Sequence, residues 1–493
     1  MDGIRTCQMP IDGDWVDASN GATFDSVSPI TGKIWARISE ETEPDVDRAV
    51  RAADRAFTCG AWAEFTPSQR GKCLRKLGDL LAERSEDLDR AETTDTGKML
   101  KETRWQAKYI SEFFHFYAGA ADKIAGETLP IHKPDLFVFT NREPLGVVAA
   151  VVPWNSQLFL VAVKIGPALA AGNTVVLKAS GHASVAMLDF GKLVAEAGFP
   201  PGVVNIITGH GDSRGRVLTS HPLVVRISFT GGPGAARQIL RNSAENFAEV
   251  PLELGGKSPF IVFADAYLES AVNGSVAGIF GVTGQSCVSG SRLLLQEDIA
   301  EEFLKRMVAL ARSIRIGEPL EEETQMDPLC TEGQLTRIQR QVALAERQGG
   351  RVLTGERQLE GLAGNCFEPT IIDCHRPALD IVGTELFGPG PSVLPFRTEH
   401  EAIALANGSQ HGLAAGIFSR DGAPAAHSPR SAGRHRLGQH LLCGLADRRL
   451  RRGQGIGLRA RKRLSGDIRL HAAQDCLDHH SIGADGHNPF VMR

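Results

Sequence analysis

The sequence predicts an α/β protein built from two parallel-sheet domains plus a short arm, and three observations carry that expectation. From residue 145 onward, continuous β-branched runs alternate with helical apolar spacing. Strands buried on both faces and linked by helices produce this pattern. A second α/β series runs from Ser258 to about residue 420. The length, 493 residues, exceeds that of one simple domain.

Each element follows from its spacing. Val46, Ala49, Val50, Ala53 and Phe57 place a helix over 43–58, and Leu74, Leu77, Leu80 and Leu81 place helix over 67–98. Residues 104–121 continue as an aromatic-rich helix. Pro130, Pro134 and Asn141 punctuate an extended stretch at 136–140, read as a hairpin arm. Strands at 145–152, 174–177, 203–208 and 224–229 then alternate with helices at 161–171, 183–196 and 235–242. No internal repeat is visible. The expected boundaries are 1–122 with 143–253 for one domain, 123–142 for the arm, 254–427 for the second domain and 428–493 for a tail.

Composition narrows the function classes. Hydrophobic residues make up 42%, charged residues 23%, and the net charge is -4. Neither nucleic acid nor an anionic membrane surface is an expected partner. The longest apolar stretch, 145–152, is too short to cross a bilayer. The N-terminus has no apolar core of a signal peptide. Nine cysteines lie scattered without CxxC spacing, which suggests thiols of a reducing compartment rather than a disulfide framework or metal site. The expected location is the cytoplasm.

Three short segments carry chemistry. Cys287 sits in the Gly/Ser-rich run Gly284-Gln285-Ser286-Cys287, after an apolar segment at 275–282. Small neighbours would let a substrate approach a nucleophilic thiolate, although a cysteine can equally be a buried small hydrophobe. Glu253 lies between Leu252 and Leu254, beside Gly255 and Gly256. It is either a salt-bridged strand-end carboxylate or a partly desolvated base able to activate water. Asn155, in Pro153-Trp154-Asn155, closes the strand at 145–152. Ligands of open α/β sheets bind beyond the carboxyl ends of strands, where an Asn amide can donate to a developing oxyanion or simply form a turn.

Together the three segments resemble the aldehyde dehydrogenase superfamily over roughly the first 427 residues. The 34-residue interval between Glu253 and Cys287 is similar to the family's. So are Leu177-Lys178-Ala179-Ser180, Phe199-Pro200-Pro201-Gly202-Val203-Val204-Asn205, Phe229-Thr230-Gly231-Gly232 and Glu385-Leu386-Phe387-Gly388-Pro389. The resemblance implies an aldehyde dehydrogenase-like fold whose arm serves oligomerisation, as a homodimer or homotetramer. It implies oxidation of a small-molecule aldehyde with Cys287 as nucleophile, Glu253 as general base and Asn155 in the oxyanion hole. Lys164 matches a family lysine near the active site that helps move protons, or else is a helix-surface lysine. CoA-acylating relatives usually lack the base glutamate, so Glu253 speaks against that activity.

The resemblance also implies a dinucleotide site. Lys178 would touch the adenosine ribose, Glu385 the nicotinamide ribose, and Phe387 would flank the nicotinamide. The helix after Gly231 and Gly232 would face the pyrophosphate. Trp154, Ser180, Gly211, Thr230 and Leu254 complete the expected set. Gly181 stands where many NAD-preferring members carry a glutamate. NAD+ is the expected cofactor, with NADP+ left open by that missing carboxylate. Ser156, Gln157, Leu160 and Val163 are expected along the substrate tunnel, with the particular aldehyde undetermined.

After about His427 the composition changes: Arg and His accumulate and no aromatic residue appears before Phe490. Neither strand nor helix period is clear, and a largely disordered tail is expected. Codons permitted by residues 433–440, read one base later, encode AGIVWVNT. Those permitted by 441–466 encode YCAVSPIGAFGGVKASGYGRESGFQA, similar to the missing family C-terminus. A one-base frameshift is therefore the expected origin of the tail, and an inactive or unstable product is the alternative to a working enzyme.

Overall fold

The computed structural model describes residues 4–359, 361–362 and 364–421, together with the backbone of 441–444; the side chains of 212–214 fall outside this description. The described chain divides into two compact units, one ending at Glu253 and the other beginning at Leu254.

The first unit is organised on a five-stranded sheet. Its order is Val204–Ile207, Thr174–Lys178, Val147–Val151, Val224–Gly231 and Leu252–Leu254. The first four strands run parallel. All five residues of Thr174–Lys178 are buried, which explains the unbroken β-branched run. Helices Glu43–Thr58 and Gln157–Ala170 pack on this strand. Glu43–Thr58 is started by a reciprocal cap in which Asp45 N–H donates to Thr42 and Thr42 N–H donates to Asp45.

One expectation for this unit needs correction, and one region carries structure that the sequence did not signal. The span 67–98 is two helices, Pro67–Glu83 and Ser85–Thr96, separated at Arg84 (φ -115°, ψ 24°). Apolar spacing continues through the break, so periodicity alone does not register it. The N-terminal segment before residue 43 forms five short strands, of which Arg5–Cys7, Ile34–Ser39 and Thr23–Val27 make a small sheet. Strands of three to six residues offer too few alternations to be read.

Residues 123–142 contribute a two-stranded antiparallel pair, Thr128–Leu129 with Val138–Phe139. Leu129, Ile131, Leu136, Phe137 and Phe139 stand exposed along it.

The second unit holds a seven-stranded sheet in the order Arg351–Thr354, Ile371–Asp373, Ser392–Phe396, Arg292–Gln296, Pro259–Val262, Ala414–Phe418 and Leu441–Gly444. Only the first pair is antiparallel. Its core includes Phe260, Ile279, Phe280, Phe303 and Met307 on one side and Ile338, Phe367, Leu394 and Phe396 on the other. Leu441–Gly444 corrects the expectation of a tail without strands. An edge strand is held by backbone hydrogen bonds and needs no apolar alternation to pair. The rest of the expected tail lies outside the described residues. Among the described residues no helix is long and apolar enough to cross a membrane.

Candidate active site

The first unit places its site residues at strand ends and on one helix. Strand Val147–Val151 leads through Pro153 and Trp154 into Asn155, which is nearly buried. Helix Gln157–Ala170 follows at once and carries Lys164 inward. Lys164 is 4% exposed, which removes the helix-surface reading. Its ammonium donates to Ser228 Oγ at 3.1 Å. Burial pushes the lysine down from 10.5 to about 7, and the Glu253 carboxylate opposes that shift. The structure thus brings Lys164, Ser228 and Glu253 into one electrostatic cluster. Glu253 is half-buried on strand Leu252–Leu254.

Lys178 ends its strand buried, donating to the carbonyls of Ala179 (2.9 Å) and Gly209 and lying 3.4 Å from Glu41. Ser180 accepts from His182 N–H through its hydroxyl and from Ser184 Oγ through its carbonyl. Gly211 begins helix Gly211–Thr219, and Gly232 caps helix Pro233–Asn242. A Cβ added at Gly211, Gly232 or Gly234 would meet nothing within 4 Å. Thr230 Oγ1, on the strand end before them, is buried without a hydrogen-bond partner among the described residues. Open helix N-termini with free backbone N–H groups favour an anionic ligand.

The second unit prepares Cys287. Helix Leu268–Phe280 runs into the turn Gly281–Gly284, where Val282 (φ 52°) and Thr283 (φ 50°) both adopt left-handed backbone. For β-branched residues this conformation costs about 1–3 kcal/mol and survives only where surroundings enforce it. Thr283 Oγ1 donates to Asp327 O at 2.8 Å, and Cys330 N–H donates to Gln285 Oε1 at 3.0 Å. Gly284 (φ 68°) is required, because a Cβ there would sit 2.2 Å from Gly388 O. Cys287 is half-buried. By contrast Cys366 and Cys374 are buried, and desolvation raises both to about 11, which makes them poor nucleophiles.

Gly255 and Gly256 permit two close approaches. A Cβ on Gly256 would lie 2.5 Å from the carbonyl oxygen of Cys287, and one on Gly255 would collide with the Glu385 carboxylate. Gly256 N–H donates to Glu385 Oε1 at 3.0 Å. Burial raises the Glu385 carboxyl, and the Gly256 N–H works against that. Phe387 holds φ 54°, its carbonyl accepting from Gln334 Nε2 at 2.7 Å. Sequence reasoning missed Ser228, Gln334, Glu92 and Lys98. None lies in a chemistry-bearing motif, and their partners are 52 to 65 residues away.

Parallel sheets with polar side chains gathered at strand ends define an open-sheet α/β enzyme. The chain belongs to the aldehyde dehydrogenase family, whose profile matches residues 15–434. It is 52% identical over 417 residues to a (Z)-2-((N-methylformamido)methylene)-5-hydroxybutyrolactone dehydrogenase of Acinetobacter baylyi, covering 84% of this chain and 85% of that one. It is 39% identical over 414 residues to a hydroxyisobutyraldehyde dehydrogenase of Mycolicibacterium austroafricanum, covering 84% and 82%. Among solved structures, betaine aldehyde dehydrogenase of Staphylococcus aureus, in complex with NAD+, superposes with a TM-score of 0.84 at 37% identity over 85% of this chain and 84% of that one. A crystal structure described as a putative aldehyde dehydrogenase from Burkholderia cenocepacia superposes with a TM-score of 0.84 at 40% identity, covering 88% of each chain.

Proposed function

We propose that the chain oxidises an aldehyde to a carboxylic acid with NAD(P)+ through a cysteine thioester. The observation that carries this reading is Cys287, half-buried directly after a strained turn in a chain of this family. The Cys287 thiolate adds to the carbonyl carbon, and the Asn155 amide with the Cys287 N–H holds the resulting oxyanion. Each such donor contributes about 2.7–4 kcal/mol in comparable sites. The bound dinucleotide supplies the hydride acceptor. Loss of hydride leaves the carbon joined to sulfur as a thioester. Glu253 takes a proton from water; the water oxygen adds to the thioester carbon, the thiolate leaves, and the acid is released. Lys164, held near neutrality, exchanges a proton with Glu253.

The residues present fit the dinucleotide. Gly211 and Gly232 offer open helix N-termini, and Thr230 Oγ1 is a buried group without a partner among the described residues. Glu385 and Lys178 would hold the two riboses, with Phe387 beside the nicotinamide and Trp154, Ser180, Gly231 and Leu254 completing the lining. NAD+ is favoured because relatives of known structure carry it. Domain roles follow: residues 1–122 and 143–253 bind the cofactor, 254–427 carry the nucleophile, and the arm at 123–142 pairs subunits through its exposed apolar side chains. Cys287→Ala, made in the chain whose offset frame is restored after about His427, tests the reading: NADH formation should vanish while NAD+ still binds. Normal turnover in that variant refutes it.

A second reading concerns the tail. The family match ends at Arg434, close to the change of composition. A frameshifted gene product with impaired activity accounts for this. The nucleotide sequence decides: an offset frame lacking the family motifs rules it out.

A further inference from the structure

The turn Trp154-Asn155-Ser156-Gln157 begins helix Gln157–Ala170, and neither Ser156 nor Gln157 caps that helix with its own side chain. Ser156 occupies the N-cap but makes no side-chain cap hydrogen bond. The Gln157 amide is buried, and neither end finds a partner among the described residues. Yet the first N–H groups of a helix must be satisfied.

The partner comes from a distant element. Glu92, on helix Ser85–Thr96, is fully buried and accepts from Gln157 N–H at 3.1 Å and also from Leu158 N–H. A carboxylate there also meets the positive end of the helix dipole. Lys98, 2% exposed, lies 3.7 Å from Glu92 and donates to Ser156 Oγ at 3.0 Å and to Gln106 Oε1 at 3.1 Å. One buried ion pair therefore grips the residues on the C-terminal side of Asn155: Ser156 through its hydroxyl, Gln157 and Leu158 through their backbones.

We propose that Glu92 and Lys98 are positioning residues that fix the Asn155 amide for the oxyanion and orient the helix carrying Lys164. The catalytic part of this inference rests on the role proposed above for Asn155. The pair is buried and costly to maintain: replacing buried ion pairs by neutral groups is often harmless to stability. A positioning role accounts for a buried ion pair at this place in the fold.

The test uses the full chain with Lys98→Met, Glu92→Ala and the neutral double variant Lys98→Met/Glu92→Gln. Two readouts are taken: amide hydrogen exchange of the segment 153–160, and the pre-steady-state NADH burst with an aldehyde. Exchange in 153–160 should accelerate about tenfold or more in Lys98→Met, while strand Thr174–Lys178 stays protected. The burst rate should fall about 100-fold with aldehyde KM little changed, the size expected when an oxyanion donor is misplaced. The double variant removes the unpaired buried charge and guards against simple misfolding. It should regain overall stability but keep the fast-exchanging turn and the slow burst. Unchanged exchange in Lys98→Met, or a double variant with turn and burst both restored, overturns the proposal. If the parent shows no burst, the kinetic readout is taken with the same variants in the chain whose offset frame is restored after about His427; a restored chain without any burst defeats the proposed function instead, and hydrogen exchange then still decides whether the pair holds the turn.

Discussion

Replacing Lys164 by methionine should make the protein more stable, by an amount that depends on pH. Lys164 is almost wholly buried with Ser228 Oγ as its hydrogen-bond acceptor, and its value falls from 10.5 to about 7 through desolvation. At about 1.4 kcal/mol for each tenfold change, that displacement corresponds to about 5 kcal/mol. The sign follows from linkage. Between pH 7 and 10.5 the unfolded chain binds more protons at this lysine than the folded one does, so stability rises with pH. Below about pH 7 the folded lysine is charged and its full burial cost is present; above about 10.5 the cost is gone. Lys164→Met removes that dependence while conserving the apolar stem. Denaturant midpoints for parent and variant at several pH values between 6 and 10 measure it. The variant's advantage should approach about 5 kcal/mol at pH 6 and shrink steadily towards pH 10. Lys257, also lowered to about 7, contributes equally to both proteins and cancels. Parallel pH curves for parent and variant would refute the argument, because Lys164 would then titrate like a solvated lysine.

Other outcomes follow from the site. Glu253→Gln should keep a burst of NADH but slow steady turnover about 10²–10⁴-fold; loss of the burst with turnover retained would reverse the assignment. Gly181→Glu should shift the kcat/KM ratio toward NAD+ by about 10- to 100-fold, since two like charges about 4 Å apart repel by about 1–4 kcal/mol. Its Cβ would lie 2.6 Å from the exposed His210 ring, which must swing aside, and 3.0 Å from Gly209 O. An unchanged ratio places that side chain away from the ribose. Restoring the offset reading frame after about His427 should raise soluble yield, activity and assembly into a dimer or tetramer. Equal behaviour of the two chains by sizing chromatography and NADH formation would dismiss the frameshift.

Much of the fold is legible because its signals are local. The unbroken apolar run Thr174–Lys178 announces a strand buried on both faces, and the spacing of Val46, Ala49, Val50 and Ala53 announces a helix. The short N-terminal strands and the break at Arg84 are not legible, because neither changes apolar periodicity over a long enough window. The sequence by itself determined the setting of the proposed nucleophile, a cysteine among small residues, and the glycines at 255 and 256. Only the tertiary structure decided which charges are buried and what answers them. Lys164 reads as a helix-surface residue or a proton carrier until packing places it against Ser228 and under the influence of Glu253. No sequence signal singles out Lys98 and Glu92, and their part appears only when helix Ser85–Thr96 packs where the turn after Asn155 begins. The physical reason is that an apolar pattern is written along the chain, whereas the cost of a charge depends on what folding brings around it.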